Sequence, residues 1–242
     1  MMRFFWLLMG GCFALGTANA QAQEVDAHYM AVFVKGDRVG YYKKLRKVSA
    51  DSVITTELMT FTIDAGTGVV QKLTVDESVE SRDGKLIRFR HEAAQGERLF
   101  RIVGERNGDT VHLLLVSNKE KHERDMPWSD ETLMPEGRRL LAESQGLVLG
   151  SQYGYDQLFT ETMSFGQVIV TVGPLMEVDV LGEKMKLTET REVIESTGRS
   201  LEYLVYRDAT TKPIKMVAPT MFMSLVTCSE AYAMTPLGES TD

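Results

Sequence analysis

Apolar and polar residues alternate along much of this chain, and the alternation is most regular between residues 69 and 116. In the first part of this stretch Val69, Leu73, Val75 and Val79 fall on one side of an extended strand, with mostly polar residues between them. A period of two residues is typical of a half-buried β-strand. Polar, glycine-containing connections, which suit tight hairpins, separate four such runs: Val69–Ser81, Lys85–Ala94, Glu97–Glu105 and Thr110–Val116. This stretch predicts a four-stranded antiparallel meander.

Similar runs lie on both sides of the meander. They predict a mainly β protein: a curved antiparallel sheet or half-open β-barrel of about ten strands with one covering α-helix. Residues 21–242 contain no repeat or linker-like tract, so we expect a single domain there. The flanking runs are His28–Val34, Val39–Ser49, Ser52–Asp64, 163–172, 175–181, 184–195, 200–206, 213–218 and 220–230.

Between the two groups of strands the pattern changes. Ser117–Asp130 is charged and aperiodic and is interpreted as a loop, whereas residues 131–144 carry an apolar stripe at helical spacing. Asp130 is a suitable N-cap for this helix and Gly146 a suitable stop. The sequence therefore predicts a single principal helix in the middle of a β-rich chain.

The last strand of the meander is apolar on both faces, because Leu114 and Val116 alternate with three further apolar side chains. Such a strand is expected to be covered on both sides. The helix is the natural cover, and an apolar ligand could be held beneath it. The predicted apolar lining consists of Leu114, Val116, Leu133, Met134, Leu140 and Leu141. The chain also contains 14 methionines, which either fill a core or line an adaptable apolar surface.

Residues 1–20 have the features of a signal peptide: a short basic start, an apolar segment and the A-x-A pattern Ala18-Asn19-Ala20. We expect cleavage before Gln21 and a periplasmic or secreted protein with no transmembrane segment in its mature chain. The alternative is a lipoprotein acylated at Cys12. If Cys12 is removed, Cys228 has no partner for an internal disulfide and is expected to be buried.

No residue set in the sequence indicates a reaction, so we expect neither an enzyme nor a cofactor or metal protein. Cys228 has apolar neighbours and no adjacent base, whereas a nucleophile needs one. Asp76 and Glu80 are interpreted as residues of a solvent-facing strand, and His91 as a hydrogen-bonded wall residue. The charged residues 119–125 are interpreted as a solvated loop. The net charge of −7 argues against a nucleic-acid partner.

The order of the elements resembles that of a known family. Four segments are similar to segments of the β-rich N-terminal domain of bacterial exported transglutaminase-like proteins. They are Gly36-Asp37-Arg38-Val39-Gly40-Tyr41, Leu149-Gly150-Ser151-Gln152-Tyr153 with Phe159, Glu177-Val178-Asp179-Val180-Leu181-Gly182 and Tyr206-Arg207-Asp208. The catalytic core of that family, with its Cys, His and Asp, is absent from this chain. The architecture also looks like that of the LolA-type periplasmic lipoprotein carriers, without a shared motif.

These resemblances imply a non-catalytic protein of the cell envelope. The first expectation is a periplasmic protein that binds a lipid, acyl chain or lipoprotein between sheet and helix. The alternative is a scaffold that docks on an envelope protein and binds no ligand.

Overall fold

A computed structural model describes residues 24–64, 69–96, 98–117, 120–196 and 199–237. These residues form one open antiparallel sheet of 14 strands, so the predicted mainly β class is confirmed and the predicted number of about ten strands is wrong. The first eight strands are β1 (Glu24–Val34), β2 (Asp37–Val48), β3 (Ser52–Asp64), β4 (Val69–Ser81), β5 (Leu86–Gln95), β6 (Arg98–Asn107), β7 (Thr110–Ser117) and β8 (Glu120–Pro127). The other six are β9 (Gln152–Phe159), β10 (Ser164–Val180), β11 (Glu183–Ser196), β12 (Arg199–Arg207), β13 (Pro213–Ala218) and β14 (Met223–Cys228).

The strand order is β8-β7-β6-β5-β4-β3-β2-β1-β14-β13-β12-β11-β10-β9. In every pair of hydrogen-bonded strands but one, the two strands are therefore consecutive along the chain. The exception is the central pair of β1 and β14, which is antiparallel from Tyr29 opposite Cys228 to Val34 opposite Met223. Two meanders thus meet at the middle of the sheet, and β8 and β9, consecutive along the chain, are its two outer edges.

The principal helix α1 (Pro135–Gln145) lies between these two edge strands in sequence. It begins at Pro135, so the predicted start at residue 131 and the predicted cap at Asp130 are wrong; Met134 is the N-cap residue. The reason is tertiary: the Leu133 amide donates to the Asp156 carbonyl at 2.8 Å, and the Asp156 amide donates to the Glu131 carbonyl at 3.1 Å. These bonds to β9 hold residues 131–133 against that strand and outside the helix. Proline then suits the first helical position, where no amide hydrogen is needed.

Two strands were not expected from the sequence. Residues 120–127 form edge strand β8 in place of the predicted loop, and seven of its eight residues are exposed, all but Met126. Strand β9 was also missed. An edge strand exposed on both sides has no apolar alternation, and its charged side chains discourage pairing with other chains. The predicted strands 163–172 and 175–181 are one long strand, β10, with an irregular register between Val172 and Leu175.

Three apolar clusters hold the sheet together. The largest joins β5–β8 to the end of β9 and to Trp128, whose ring meets Phe165 edge-on at 6.0 Å. In the second cluster, around Leu187, the residues beside the turn between β10 and β11 pack against β13 and β14. The third surrounds Met30 on the inner face of the central strands. A short helix α2 (Glu230–Met234) follows β14. None of the helices in the described ranges is both long and apolar enough to cross a membrane.

Candidate functional site

A cavity of about 570 Å³ lies between the inner face of the sheet and helix α1. Strands on both sides of the central pair contribute to its wall, because the sheet curves around it. A volume of this size is in the usual range for small-molecule sites. Its side chains come from β1–β4, α1, β9–β14 and the turn after β12, and those used below are Asp26, His28, Met30, Tyr42, Lys44, Arg46, Glu57, Met59, Asp76, Arg138, Arg139, Glu143, Tyr155, Glu192, Arg207, Lys212, Met216, Met223 and Leu225.

One part of the wall is apolar and rich in methionine. Met30 and Leu225 are buried on neighbouring central strands, and Met216, Met223 and Tyr42 pack against them. Unbranched, polarizable side chains of this kind adapt to the shape of what they contact. The wall therefore offers a deformable apolar surface rather than a rigid slot.

The carboxylates around the cavity already have polar partners. Glu57 accepts from Lys44 at 3.2 Å, Glu192 from Arg207 at 2.5 Å, and Asp26 lies 3.8 Å from the Lys212 ammonium. Two further contacts complete the set: Asp76 with His91 at 2.8 Å, and Glu143 with Arg139.

Arg138 differs from the other cations of the lining. A terminal nitrogen of its guanidinium donates to the amide oxygen of Gln157 at 3.0 Å. Among the described residues no carboxylate oxygen lies within 4 Å of it, whereas Lys44, Arg46, Arg139, Arg207 and Lys212 each have such a partner. Arg138 lies deep below the molecular surface, yet part of its side chain is accessible because it borders the cavity.

Two phenols stand close enough to Arg138 to be affected by its charge. Burial raises the pKa of Tyr155 to about 12, and the positive charge of Arg138 opposes this only in part. Burial, together with the nearby Glu57 carboxylate, also raises the pKa of Tyr42 well above its usual value. Burial disfavours ionisation of Glu57, but Lys44 and Arg138 outweigh it, so its pKa is lowered. At neutral pH both phenols are hydrogen-bond donors and Glu57 is charged.

A buried carboxylate fixes the start of α1 over this cavity. Glu80 on β4 is fully buried, and its two oxygens accept from the backbone amides of Glu136 at 3.0 Å and Gly137 at 2.9 Å. The Ser78 hydroxyl donates to it at 2.7 Å. These amides are the unpaired donors of a helix N-terminus, where negative charge is favourable. The prediction that Glu80 faces solvent is therefore wrong: Thr74 and Ser78 on the same face of β4 are buried as well, so this is the face that turns inward.

The same turn of helix is tied to β2 by ion pairs. Glu136 accepts two hydrogen bonds from Arg46, each of 2.8 Å, and two from Arg139 of 3.0 and 2.7 Å. Burial raises the pKa of Glu136, but the hydrogen bonds from both arginines outweigh it and lower that pKa to about 2. On the opposite wall burial, followed by Lys212 and Lys44, lowers the pKa of His28 to about 4. His28 is thus neutral at neutral pH.

The six residues predicted to line a ligand site are not among those that border this cavity. Leu114 and Val116 are half-buried on β7, while α1 contacts β3 and β4, so the helix does not cover them. Met134 packs against the cluster of β5–β8. Leu140 faces the hairpin turn at Gly84: a Cβ atom added to Gly84 would lie 3.3 Å from the Leu140 Cδ1 atom. Leu133 and Leu141 are half-buried, also away from the cavity lining.

Three other expectations can be compared with the structure. His91 is buried and its Nδ1 lies 2.8 Å from Asp76 and 3.1 Å from the Thr160 hydroxyl, as a hydrogen-bonded wall residue should be. Cys228 is half-buried rather than buried, and partial burial raises the pKa of its thiol, which opposes thiolate formation. The described ranges contain no group of three or more His, Cys, Asp or Glu side chains suited to a metal ion. The predicted cleavage site and Cys12 lie outside the described residues.

Comparison with known proteins gives a likeness in fold. No family model matches the chain, and no curated protein matches it in sequence. Among solved structures, the chain is similar to a "beta-barrel-like protein of domain of unknown function DUF1849" from Brucella abortus, with a TM-score of 0.56 and 13% sequence identity. The match covers 84% of this chain and 95% of that one. Similarity at this identity concerns the barrel-like fold alone.

Proposed function

We propose that this chain is a non-catalytic binding protein that holds an apolar or amphipathic ligand in the cavity beneath α1. The observation that carries the proposal is the cavity itself, about 570 Å³ with methionines forming its apolar wall. A concave space of this size, with an adaptable apolar wall and a few polar side chains, has the usual properties of a small-molecule site.

The proposed setting is the cell envelope. The signal-like residues 1–20 favour export, and lipids or lipid-linked molecules are the apolar ligands most abundant there. The absence of an enzymatic role is part of the same proposal. It is supported by the full pairing of the cavity carboxylates and the disfavoured Cys228 thiolate, which leave no activated nucleophile among these groups.

A substitution that fills the cavity tests this role. Met216→Trp places an indole in the apolar wall, whereas Val217→Trp places one on the opposite face of the same strand, since neighbouring residues of a strand point to opposite sides. We expect the unmodified protein to bind a fluorescent apolar probe that long-chain lipids displace. Met216→Trp should lose at least tenfold in affinity and Val217→Trp should not.

Circular dichroism must first show that both variants are folded. Native mass spectrometry of gently extracted protein should in addition show a bound lipid that Met216→Trp lacks. Unchanged probe binding by a folded Met216→Trp variant would place the probe elsewhere and contradict the proposal.

A row of exposed apolar residues supports a second candidate, the envelope scaffold. Leu73, Ala94 and Leu99 lie opposite one another on three neighbouring strands, and Leu73 and Leu99 are 37% and 51% exposed. Val69, on the same strand as Leu73, is 73% exposed. Contiguous exposed apolar surface often marks a protein interface. In-cell crosslinking from position 99 that traps one specific protein, lost on Leu73→Lys, would favour the scaffold; labelling without specific capture would count against it.

A further inference from the structure

Arg138 is the one cavity cation whose charge the described residues leave without a direct carboxylate partner. A guanidinium is always ionised, and removing it from bulk water costs several kcal/mol unless another charge or hydrogen-bond acceptor compensates. Here a neutral amide, that of Gln157, is its hydrogen-bonded partner. Burial opposes the charge of Arg138, but Tyr155, Glu57 and further nearby groups outweigh it and raise the pKa of the guanidinium. None of them is a direct hydrogen-bond partner among the described residues, so the occupant of the cavity can supply the charged acceptor that Arg138 lacks.

The free edge of Arg138 has the geometry of an anion site. Gln157 uses one terminal nitrogen, and the described residues provide no acceptor for the Nε hydrogen or the other terminal nitrogen. These atoms form the edge that binds a carboxylate through two parallel hydrogen bonds. Tyr155, neutral because burial raises its pKa to about 12, adds a phenol donor near the same guanidinium, whereas the Tyr42 phenol is directed to the Glu57 carboxylate.

The neighbouring wall fixes the rest of the ligand. Tyr42 also packs against the cluster of Met30, Met216 and Met223, so one side chain borders both the cation and the apolar wall. A molecule with its anion at Arg138 would place an attached chain along the methionines. The cavity therefore suits an amphiphile rather than a wholly apolar molecule.

We propose that the ligand is an amphiphile with a single carboxylate, bound by the free edge of Arg138 with its hydrocarbon chain along Met30, Met216 and Met223. This inference rests on the proposed binding function and specifies the class of ligand. Five carboxylates border the same cavity and repel additional negative charge; they are those of Asp26, Glu57, Asp76, Glu143 and Glu192. One carboxylate matches one guanidinium edge, whereas a phosphate dianion would bring a second charge that finds no free cation.

The test compares ligands that differ only in the head group. Isothermal titration of the full chain without its signal segment uses dodecanoate, dodecanol and dodecyl phosphate, each below its micelle-forming concentration. Charged hydrogen bonds in a desolvated site predict that dodecanoate binds about 10- to 100-fold more tightly than dodecanol. Arg138→Met should abolish that preference and leave dodecanol affinity within about threefold. Arg139→Met is the matched control: its arginine lines the same cavity but is already paired with Glu136, so the preference should persist.

Each outcome decides one point. If no ligand with a dodecyl chain binds, the cavity function itself fails. If dodecanol and dodecanoate bind equally, the cavity function stands and the carboxylate assignment is overturned, as it is if dodecyl phosphate binds best. Loss of the preference in Arg139→Met but not in Arg138→Met would move the anion to Arg139 and overturn the assignment. Should Arg138→Met fail to fold, Tyr155→Phe must lower the preference several-fold while leaving dodecanol binding unchanged, or the assignment falls.

Discussion

Replacing the carboxylate of Glu80 should detach the first turn of α1 from the sheet. The change to glutamine keeps the shape, but an amide offers one oxygen where the carboxylate offers two, and its NH₂ group meets a backbone amide hydrogen. One buried amide, of Glu136 or Gly137, then has no acceptor. That loss costs about 1–3 kcal/mol, and the lost interaction with the helix dipole adds up to about 1 kcal/mol. Burial raises the pKa of Glu80, which means that its charge is disfavoured at this position. Removing the charge recovers part of the loss, so the expected net decrease in the free energy of unfolding is about 1–3 kcal/mol.

Glu80→Ala removes both acceptors and leaves a void, so a loss of about 3–5 kcal/mol is expected. Urea unfolding at pH 7 measures the series, and an unchanged slope would show that the loss belongs to the folded state. Glu77→Gln on the same strand is the control; its carboxylate is partly exposed and 3.5 Å from Arg90, so its effect should stay within about 0.5 kcal/mol. A Glu80→Gln protein as stable as the parent would refute the anchoring role. So would unchanged hydrogen exchange at the amides of residues 136 and 137 in Glu80→Ala.

Three further outcomes can be measured. Its arginine partners lower the pKa of Glu136 to about 2 from an ordinary 4.5, so this carboxylate contributes stability that is complete above pH 4.5 and is lost as the pH falls through about 2. The loss is on the order of 3 kcal/mol. Urea unfolding of Glu136→Gln should not show this pH-dependent loss. Gly84→Ala should lower the free energy of unfolding by about 2–4 kcal/mol, measured by thermal unfolding, since φ is +80° and the new Cβ would lie 2.6 Å from the Gly137 Cα. Gly36→Ala is the control: φ is +94° but the space around it is open, so the loss should be about 1 kcal/mol. N-terminal sequencing of exported protein should give Gln21, and an acylated cysteine at the terminus would contradict the predicted cleavage.

The sequence predicted the bounds of some strands better than their faces. In β4 the predicted apolar face is exposed at Val69 and Leu73, whereas Thr74, Ser78 and Glu80 of the other face are buried. Ser52–Asp64 and Val69–Ser81 were predicted with the bounds that the structure gives them, because alternation and glycine-bearing turns are local signals. Strand β8 escaped because exposed charges on both sides leave no period. The start of α1 was misplaced because backbone pairing of residues 131–133 with β9, a contact distant in sequence, decides it.

The site was much less accessible to sequence reasoning. The predicted lining followed the apolar stripe of the helix, but that stripe lies away from the cavity, with Met134 against the cluster of β5–β8, and the helix presents its arginines to the cavity instead. Arg138 carries no local signal, since an arginine on a helix is ordinarily interpreted as solvent-facing. Arg138 is singled out by its hydrogen bond to Gln157 on β9, a contact that sequence reasoning could not foresee. The methionine content was the one signal present, and Met30, Met59, Met216 and Met223 do border the cavity.

The central pairing of β1 with β14 has a consequence for how the chain reaches its folded state. All pairings among strands β1–β8 join sequence neighbours, so this half can form as soon as it is available. Until the last strand arrives, however, β1 has one unpaired edge, and it includes the buried residues Met30, Ala31 and Val32. Closing that edge joins positions about 200 residues apart, which makes it the slow step of assembly. During that interval the open apolar edge can pair with another chain, so the nearly complete protein is the state most prone to aggregation.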